Sequence, residues 1–127
     1  VYASSQDDEL KDKSVKILKR AIELNPDDAE SLLFLGIIET EAGNYSAAEK
    51  NFKKITELYP NNERGFFFLA RLYYEKGDFA KAEQLYNESL RLNPNFVSAL
   101  IELALVYEQQ GKYEESENIY KSIITYN

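Results

Sequence analysis

Histidine and cysteine are both absent from the 127 residues of this chain. Without cysteine there can be no disulfide, no thiolate nucleophile and no zinc–thiolate site. Without histidine the chain lacks the commonest general base and the commonest transition-metal ligand. We therefore predict a protein with no catalytic residues, no metal site and no cofactor.

Glycine is also scarce, since there are only 5 glycines and they are scattered along the chain. No glycine-rich phosphate loop and no nucleophile elbow can be assembled from them. Carboxylates are abundant in runs such as Asp7–Glu9 and Glu114–Glu115, but these runs lie in charge-rich stretches that are typical of solvated surface. A catalytic carboxylate needs a cleft that shifts its pKa. The sequence thus favours a protein that is not an enzyme.

Long apolar runs are missing too, because no segment approaches the roughly 20 apolar residues of a transmembrane helix. We predict no direct membrane insertion. No complete signal peptide is present, and a cytoplasmic and an exported protein are both compatible with the composition. Methionine is absent, which indicates a fragment of a larger protein. The many Lys, Asn, Ile and Tyr residues are typical of an AT-rich genome, and a bacterial source is compatible with this composition.

The chain is acidic, with 22 acidic and 15 basic residues and a net charge of −7. Nucleic-acid binding depends on phosphate neutralisation by lysine and arginine, so no nucleic-acid partner is expected. The densest basic cluster is interleaved with acidic side chains and is typical of a solvated helix face. The basic residues are Lys11, Lys13, Lys16, Lys19 and Arg20, and the acidic ones are Asp7, Asp8, Glu9, Asp12 and Glu23.

Four classes of residue recur with a period of 34 residues. They are the prolines Pro26, Pro60 and Pro94, the glycines Gly43, Gly77 and Gly111, and the aromatic sets Tyr45, Phe79, Tyr113 and Phe52, Tyr86, Tyr120. A fixed period of this length indicates stacked supersecondary units.

Each period contains two amphipathic segments, because apolar residues recur at spacings of three and four. A glycine ends the first segment, an Asn-Pro or Tyr-Pro pair ends the second, and the residue after the proline is predicted to cap the next helix (Asp27, Asn61 and Asn95). The predicted helices are 7–24, 29–42, 45–58, 63–76, 79–92, 97–110 and 113–125. Seven helices and no sheet define an all-α protein.

In this pattern the chain resembles the tetratricopeptide repeat (TPR) family. The family's leucine–small pair is found in each period, and so is its small residue in the second helix. The pairs are Leu35-Gly36, Leu69-Ala70 and Leu103-Ala104, and the small residues are Ala48, Ala82 and Ser116. The resemblance implies a right-handed superhelix of antiparallel helix pairs.

The repeat boundaries follow from the same resemblance. Residues 7–127 are predicted to form the TPR domain, with a partial repeat at 7–28, repeats at 29–62 and 63–96, and a truncated repeat at 97–127. Residues 1–6 are expected to be a disordered end segment.

In similar proteins the first helices line a concave groove that binds a partner. The resemblance implies such a groove here. Apolar side chains at its centre and arginines on the middle helix predict that it holds an apolar segment of a protein or peptide. The alternative is a tight superhelix, in which these side chains pack on each other or on further parts of the same protein. The candidate partner-binding residues are Leu33, Ile37, Arg64, Phe67, Arg71, Tyr74, Ile101 and Leu105.

One TPR subtype is excluded on residue grounds. Some TPR co-chaperones bind the C-terminal carboxylate of a chaperone through Lys, Asn, Asn, Lys and Arg. The matching positions here are Leu33, Ile37, Phe68, Ser98 and Glu102, none of which agrees. An apolar floor with a glutamate cannot hold a carboxylate.

An alternative function is a structural spacer in a longer repeat array, with no peptide ligand of its own. The last helix carries apolar residues and no polar capping helix follows it, although solenoids normally end with one. Homo-oligomers could then form through this uncapped edge, whose candidate residues are Ile119, Ile123 and Ile124.

Overall fold

The computed structural model describes the backbone of residues 2–126 and the side chains of residues 6–125. Within that range the protein is all-α, as predicted. The helices are α1 (Tyr2–Leu24), α2 (Ala29–Glu41), α3 (Tyr45–Leu58), α4 (Glu63–Glu75), α5 (Phe79–Leu92), α6 (Val97–Gln109) and α7 (Tyr113–Tyr126).

The chain forms two compact units. Unit 1 is Val1–Leu58 and contains α1, α2 and α3, while unit 2 is Tyr59–Asn127 and contains α4 to α7. In unit 1, α2 packs on both α1 and α3. In unit 2, each helix packs on the next one along the chain, and the two first helices α4 and α6 also touch each other.

The turn inside each helix pair is made by a glycine in the left-handed conformation. Gly77 has φ +83°, its N–H donates to the carbonyl of Tyr74, and the next N–H, that of Asp78, donates to the carbonyl of Tyr73. This is the Schellman arrangement that satisfies the last carbonyls of a helix. A side chain at that φ would be strained, which explains why glycine recurs there in every period.

The caps of the first helices lie one residue later than predicted. The N-cap residues are Asp28, Asn62 and Phe96 instead of Asp27, Asn61 and Asn95. Each proline occupies the second position of a four-residue turn, which the N–H of the fourth residue closes by donating to the carbonyl of the first. The residue directly after the proline is therefore inside the turn, and the fourth residue starts the helix.

Helix α1 begins at Tyr2, before the predicted start at residue 7. The predicted end segment 1–6 thus includes the first residues of this helix, and Val1 lies outside the described residues. No proline or glycine precedes Pro26, so nothing in this part of the chain interrupts a helix. In the part of the chain that the structure describes, no helix is both long and apolar enough to cross a membrane.

The cores of the α2–α3 and α4–α5 pairs are built from the recurring small and aromatic residues of the second helix. Ala48 and Phe52 of α3, and Ala82 and Tyr86 of α5, are almost completely buried. A small residue lets the first helix approach closely, and the aromatic ring fills the space beside it. Residues that recur every 34 positions in the sequence thus occupy equivalent positions in the core.

Candidate functional site

The predicted groove residues belong to both units. Leu33 and Ile37 lie on α2 of unit 1, and the other six lie on the first helices of unit 2. Because α4 and α6 touch each other, their solvent-facing side chains form one continuous surface within unit 2. We call it the α4–α6 face, and it consists of Arg64, Arg71, Tyr74, Ile101 and Leu105.

The α4–α6 face has exposed apolar and exposed basic elements. The side chain of Ile101 is 40% exposed, and Arg64 is also exposed. Tyr74 and Leu105 are half-buried, and the ring of Tyr74 meets the edge of the Phe79 ring at 5.5 Å between centroids. These side chains keep open surface that a partner can cover.

Arg71 at the centre of the face is held in place by an ion pair. Its Nε lies 2.8 Å from Oε1 of Glu102 and its Nη2 lies 3.1 Å from Oε2. This two-pronged contact joins α4 to α6 and raises the pKa of Arg71. Bidentate arginine–carboxylate pairs fix geometry more firmly than single contacts. The sequence excluded a carboxylate clamp partly because of Glu102, but its pairing with Arg71 was not predicted.

The guanidinium of Arg71 also stacks on two aromatic rings. It lies 4.9 Å from the centroid of Phe67 and 5.3 Å from that of Phe68. Cation–π contacts at such distances are attractive. Arg71 is therefore already held by a carboxylate and two rings, and its charge is neutralised by Glu102.

Phe67 and Leu33 do not line an open surface, which corrects the expectation that they form exposed floor of the groove. Each is only 3% exposed. The ring of Phe67 stacks on Phe96 at 4.8 Å and meets Tyr86 edge-on at 5.9 Å. Phe67 is thus a core residue of unit 2. Ile37, the other predicted residue of unit 1, is half-buried.

Tyr86 lies directly behind this face and is completely buried. Its hydroxyl has no partner that meets hydrogen-bond geometry, although it lies near the Glu102 carboxylate. Burial raises the pKa of Tyr86, and the negative charge of Glu102 raises it further while Arg71 opposes the shift. The hydroxyl is therefore a neutral, desolvated group at neutral pH.

We expect Tyr86→Phe to leave the free energy of unfolding unchanged or to raise it by up to about 1 kcal/mol, because a buried polar group without a partner is costly. Urea unfolding of the two proteins measures the difference. Phe52, which occupies the same register position in α3, shows that the site accepts the ring without a hydroxyl. A loss above about 1 kcal/mol would show that the hydroxyl has a stabilising partner after all.

The predicted C-terminal edge is only partly exposed. Ile119 and Ile123 of α7 are half-buried, whereas the side chain of Ile124 is 75% exposed. Of the three, Ile124 therefore offers most of the open apolar surface.

Acidic side chains of the described residues do not gather into a metal-binding group. Burial raises the pKa of Glu39, whose carboxylate accepts a hydrogen bond of 2.6 Å from the side-chain amide of Asn51. This contact joins α2 to α3, so Glu39 has a structural partner within unit 1.

Comparison with known proteins gives a consistent family assignment. Models of the tetratricopeptide repeat match residues 12–72, 39–95 and 69–125. No curated protein matches the sequence significantly.

Several solved structures share the architecture. A crystal structure of MamA has a TM-score of 0.82 at 20% identity, with 96% of this chain and 71% of that chain covered. MamA MSR-1 has a TM-score of 0.73 at 28% identity, with 88% and 64% covered. MamA AMB-1 has a TM-score of 0.74 at 27% identity, with 87% and 66% covered. The chain thus spans about two thirds of the length of these MamA proteins.

Proposed function

Because the chain belongs to the tetratricopeptide repeat family, a family of protein-interaction scaffolds, we propose that its α4–α6 face binds an apolar segment of a partner protein. Repeat proteins of this kind use extended surfaces of their first helices for binding. The α4–α6 face is such a surface, and it lies within one compact unit.

The ion pair between Arg71 and Glu102 is the main observation that favours an apolar partner segment over an anionic one. It neutralises the charge at the centre of the face, and 42% exposure of the Arg71 side chain leaves only part of it to solvent. The contact with Glu102 uses only Nε and Nη2 of Arg71. An anion near Nη1 would nevertheless gain little attraction, because Glu102 has already neutralised the guanidinium and repels a second negative charge. An apolar segment does not depend on that attraction.

Ile101 and Leu105 supply the apolar contact on α6. Covering a full isoleucine or leucine side chain contributes roughly 1.5–3 kcal/mol, so a partner that covers two partly exposed ones gains a useful fraction of that. Arg71 and Tyr74 are fixed by neighbouring groups before the partner arrives. Pre-ordered side chains lose little conformational entropy on binding.

We expect Ile101→Ser to weaken binding of an apolar peptide to the α4–α6 face by about tenfold, as for an anchor near the centre of an interface. Peptides would be selected from a displayed random library against the wild-type protein and then measured by fluorescence anisotropy. Ile101 is 40% exposed, so the helical circular dichroism should not change.

Ile124→Ser is the matched control, because Ile124 is a more exposed isoleucine on α7. It should leave peptide binding intact. Equal affinity of both variants and the wild type would contradict the proposed face. The alternative, a spacer that self-associates through α7, would be favoured if no peptide were enriched and if sedimentation showed an oligomer that only Ile124→Ser dissociates.

A further inference from the structure

Helix α1 exposes an apolar stripe that none of the described helices covers. Leu10, Ile17 and Leu24 recur every seven residues on one side of the helix and are 61%, 69% and 74% exposed. On α2, the neighbouring Phe34 is 48% exposed. Between the two helices lies a depression of about 310 Å³, lined by Ser14, Ile17, Leu18, Phe34 and Ile38. We call these five residues, with Leu10 and Leu24, the α1–α2 face.

The same pair of helices occurs again two periods later, as α5 and α6, and there the equivalent face is covered. The counterparts of Ser14, Leu18 and Ile38 are Ala82, Tyr86 and Val106, all of which are 0% exposed. In unit 2 the first helix α4 packs on α5 and touches α6. The α1–α2 face therefore has the geometry of a site for a first helix, and none of the described first helices occupies it.

The contacts of α4 show which side chains such a helix needs. Phe67 of α4 packs against Tyr86, whose counterpart in α1 is Leu18, and this position calls for an apolar side chain. Arg71 pairs with Glu102, but the counterpart of Glu102 in α2 is Phe34. The side chain over Phe34 must accordingly be apolar instead of basic. Ala70, which lies between Phe67 and Arg71 on α4, is completely buried. A small residue at this position allows α4 to pack closely against its neighbours.

The chain does not supply this helix through its usual turn. In the three complete pairs the turn is at Gly43, Gly77 and Gly111. The residue 34 positions before Gly43 is Glu9, and it lies inside the continuous helix α1 instead of in a turn. Each first helix of the chain, α2, α4 and α6, already packs on its own second helix. A second copy of this chain consequently has no free first helix to offer.

We propose that the α1–α2 face binds an amphipathic α-helix of another protein, with a leucine–small pair facing α1 and apolar side chains over Leu18 and Phe34. The stripe from Leu10 to Leu24 is about 21 Å long at 1.5 Å per residue, which suits a helix of the length of α2 or α4. This surface is distinct from the α4–α6 face and lies in the other unit.

A synthetic peptide with the sequence of residues 28–42 is a suitable probe. It carries the leucine–small pair Leu35-Gly36 and has Ile37 where α4 has Arg71. We expect the fluorescein-labelled peptide to bind the full chain in an anisotropy titration. Ile17→Glu should weaken this binding by about tenfold, because it puts a charge in the centre of the contact.

Two matched variants make the test specific. Ile124→Glu introduces the same change on α7, and Ile101→Ser alters the α4–α6 face, so neither should affect the peptide if the α1–α2 face binds it. Binding that is insensitive to Ile17→Glu, or lost in Ile101→Ser, would overturn the proposal independently of the function of the α4–α6 face. A dimer in sedimentation that dissociates with Ile17→Glu would identify a second copy as the occupant and would likewise overturn it.

Discussion

Replacing Phe67 with alanine is expected to lower the free energy of unfolding of unit 2 by about 3–5 kcal/mol, the usual cost of deleting a buried aromatic ring. The ring is 3% exposed and contacts Phe68, Tyr86 and Phe96 as well as the guanidinium of Arg71. Its removal leaves a cavity and loosens the support of Arg71. Urea unfolding followed by far-UV circular dichroism measures the loss.

Phe34→Ala is the control for this experiment, since Phe34 lies on a first helix and is 48% exposed. Its cost should be below about 1.5 kcal/mol, because much of the ring is in water already. Equal losses for the two variants would show that Phe67 is not in the core. A large loss for Phe67→Ala also means that substitutions of Phe67 report on folding, so that Ile101 is the residue with which to test binding.

The period of the sequence was enough to predict the fold. Proline, glycine and aromatic residues at a spacing of 34 define the turns and the core of each pair, and Gly43, Gly77 and Gly111 do adopt the left-handed conformation that ends a helix. At these positions the local conformational preference of each residue favours the same structure as the packing of the helices. A fold can be predicted when the two agree in this way.

The exposure of the groove residues was not predictable from the same period. Leu33, Phe67 and Ile101 occupy one register position, yet the first two are buried and Ile101 is 40% exposed. Phe67 is buried in part by Phe96, which lies just before α6 and stacks on it. Such a contact depends on the loop of the next repeat, and no pattern within one repeat reveals it.

The Arg71–Glu102 pair was missed for a related reason. The two residues lie 31 positions apart, so they hold different register positions on two successive first helices. The period predicts which residues share a position, but only the crossing of α4 and α6 determines which different positions meet. The long helix α1, by contrast, could have been predicted from the absence of proline and glycine before Pro26.

Gly36→Val is expected to lower the free energy of unfolding of unit 1 by at least about 2 kcal/mol, because overpacking a full core usually costs 1–3 kcal/mol or more. A Cβ atom at Gly36 would lie 2.5 Å from Cε1 and 2.8 Å from Cζ of Phe52. The Phe52 ring is 1% exposed, so it can move away only by disturbing the side chains packed around it. Urea unfolding of the variant measures the loss.

Gly36→Ala separates two opposing effects on the same helix. Alanine favours a helix over glycine by about 1 kcal/mol, whereas the contact with Phe52 costs a similar or larger amount, so the net change should be near zero or a small loss. Alanine is native at this position in α4 and α6, as Ala70 and Ala104. If the ring is the cause of the loss in Gly36→Val, Phe52→Leu should recover part of it, with a coupling of at least about 1 kcal/mol in the double-mutant cycle. Additive losses would show instead that the β-branched side chain weakens α2 itself.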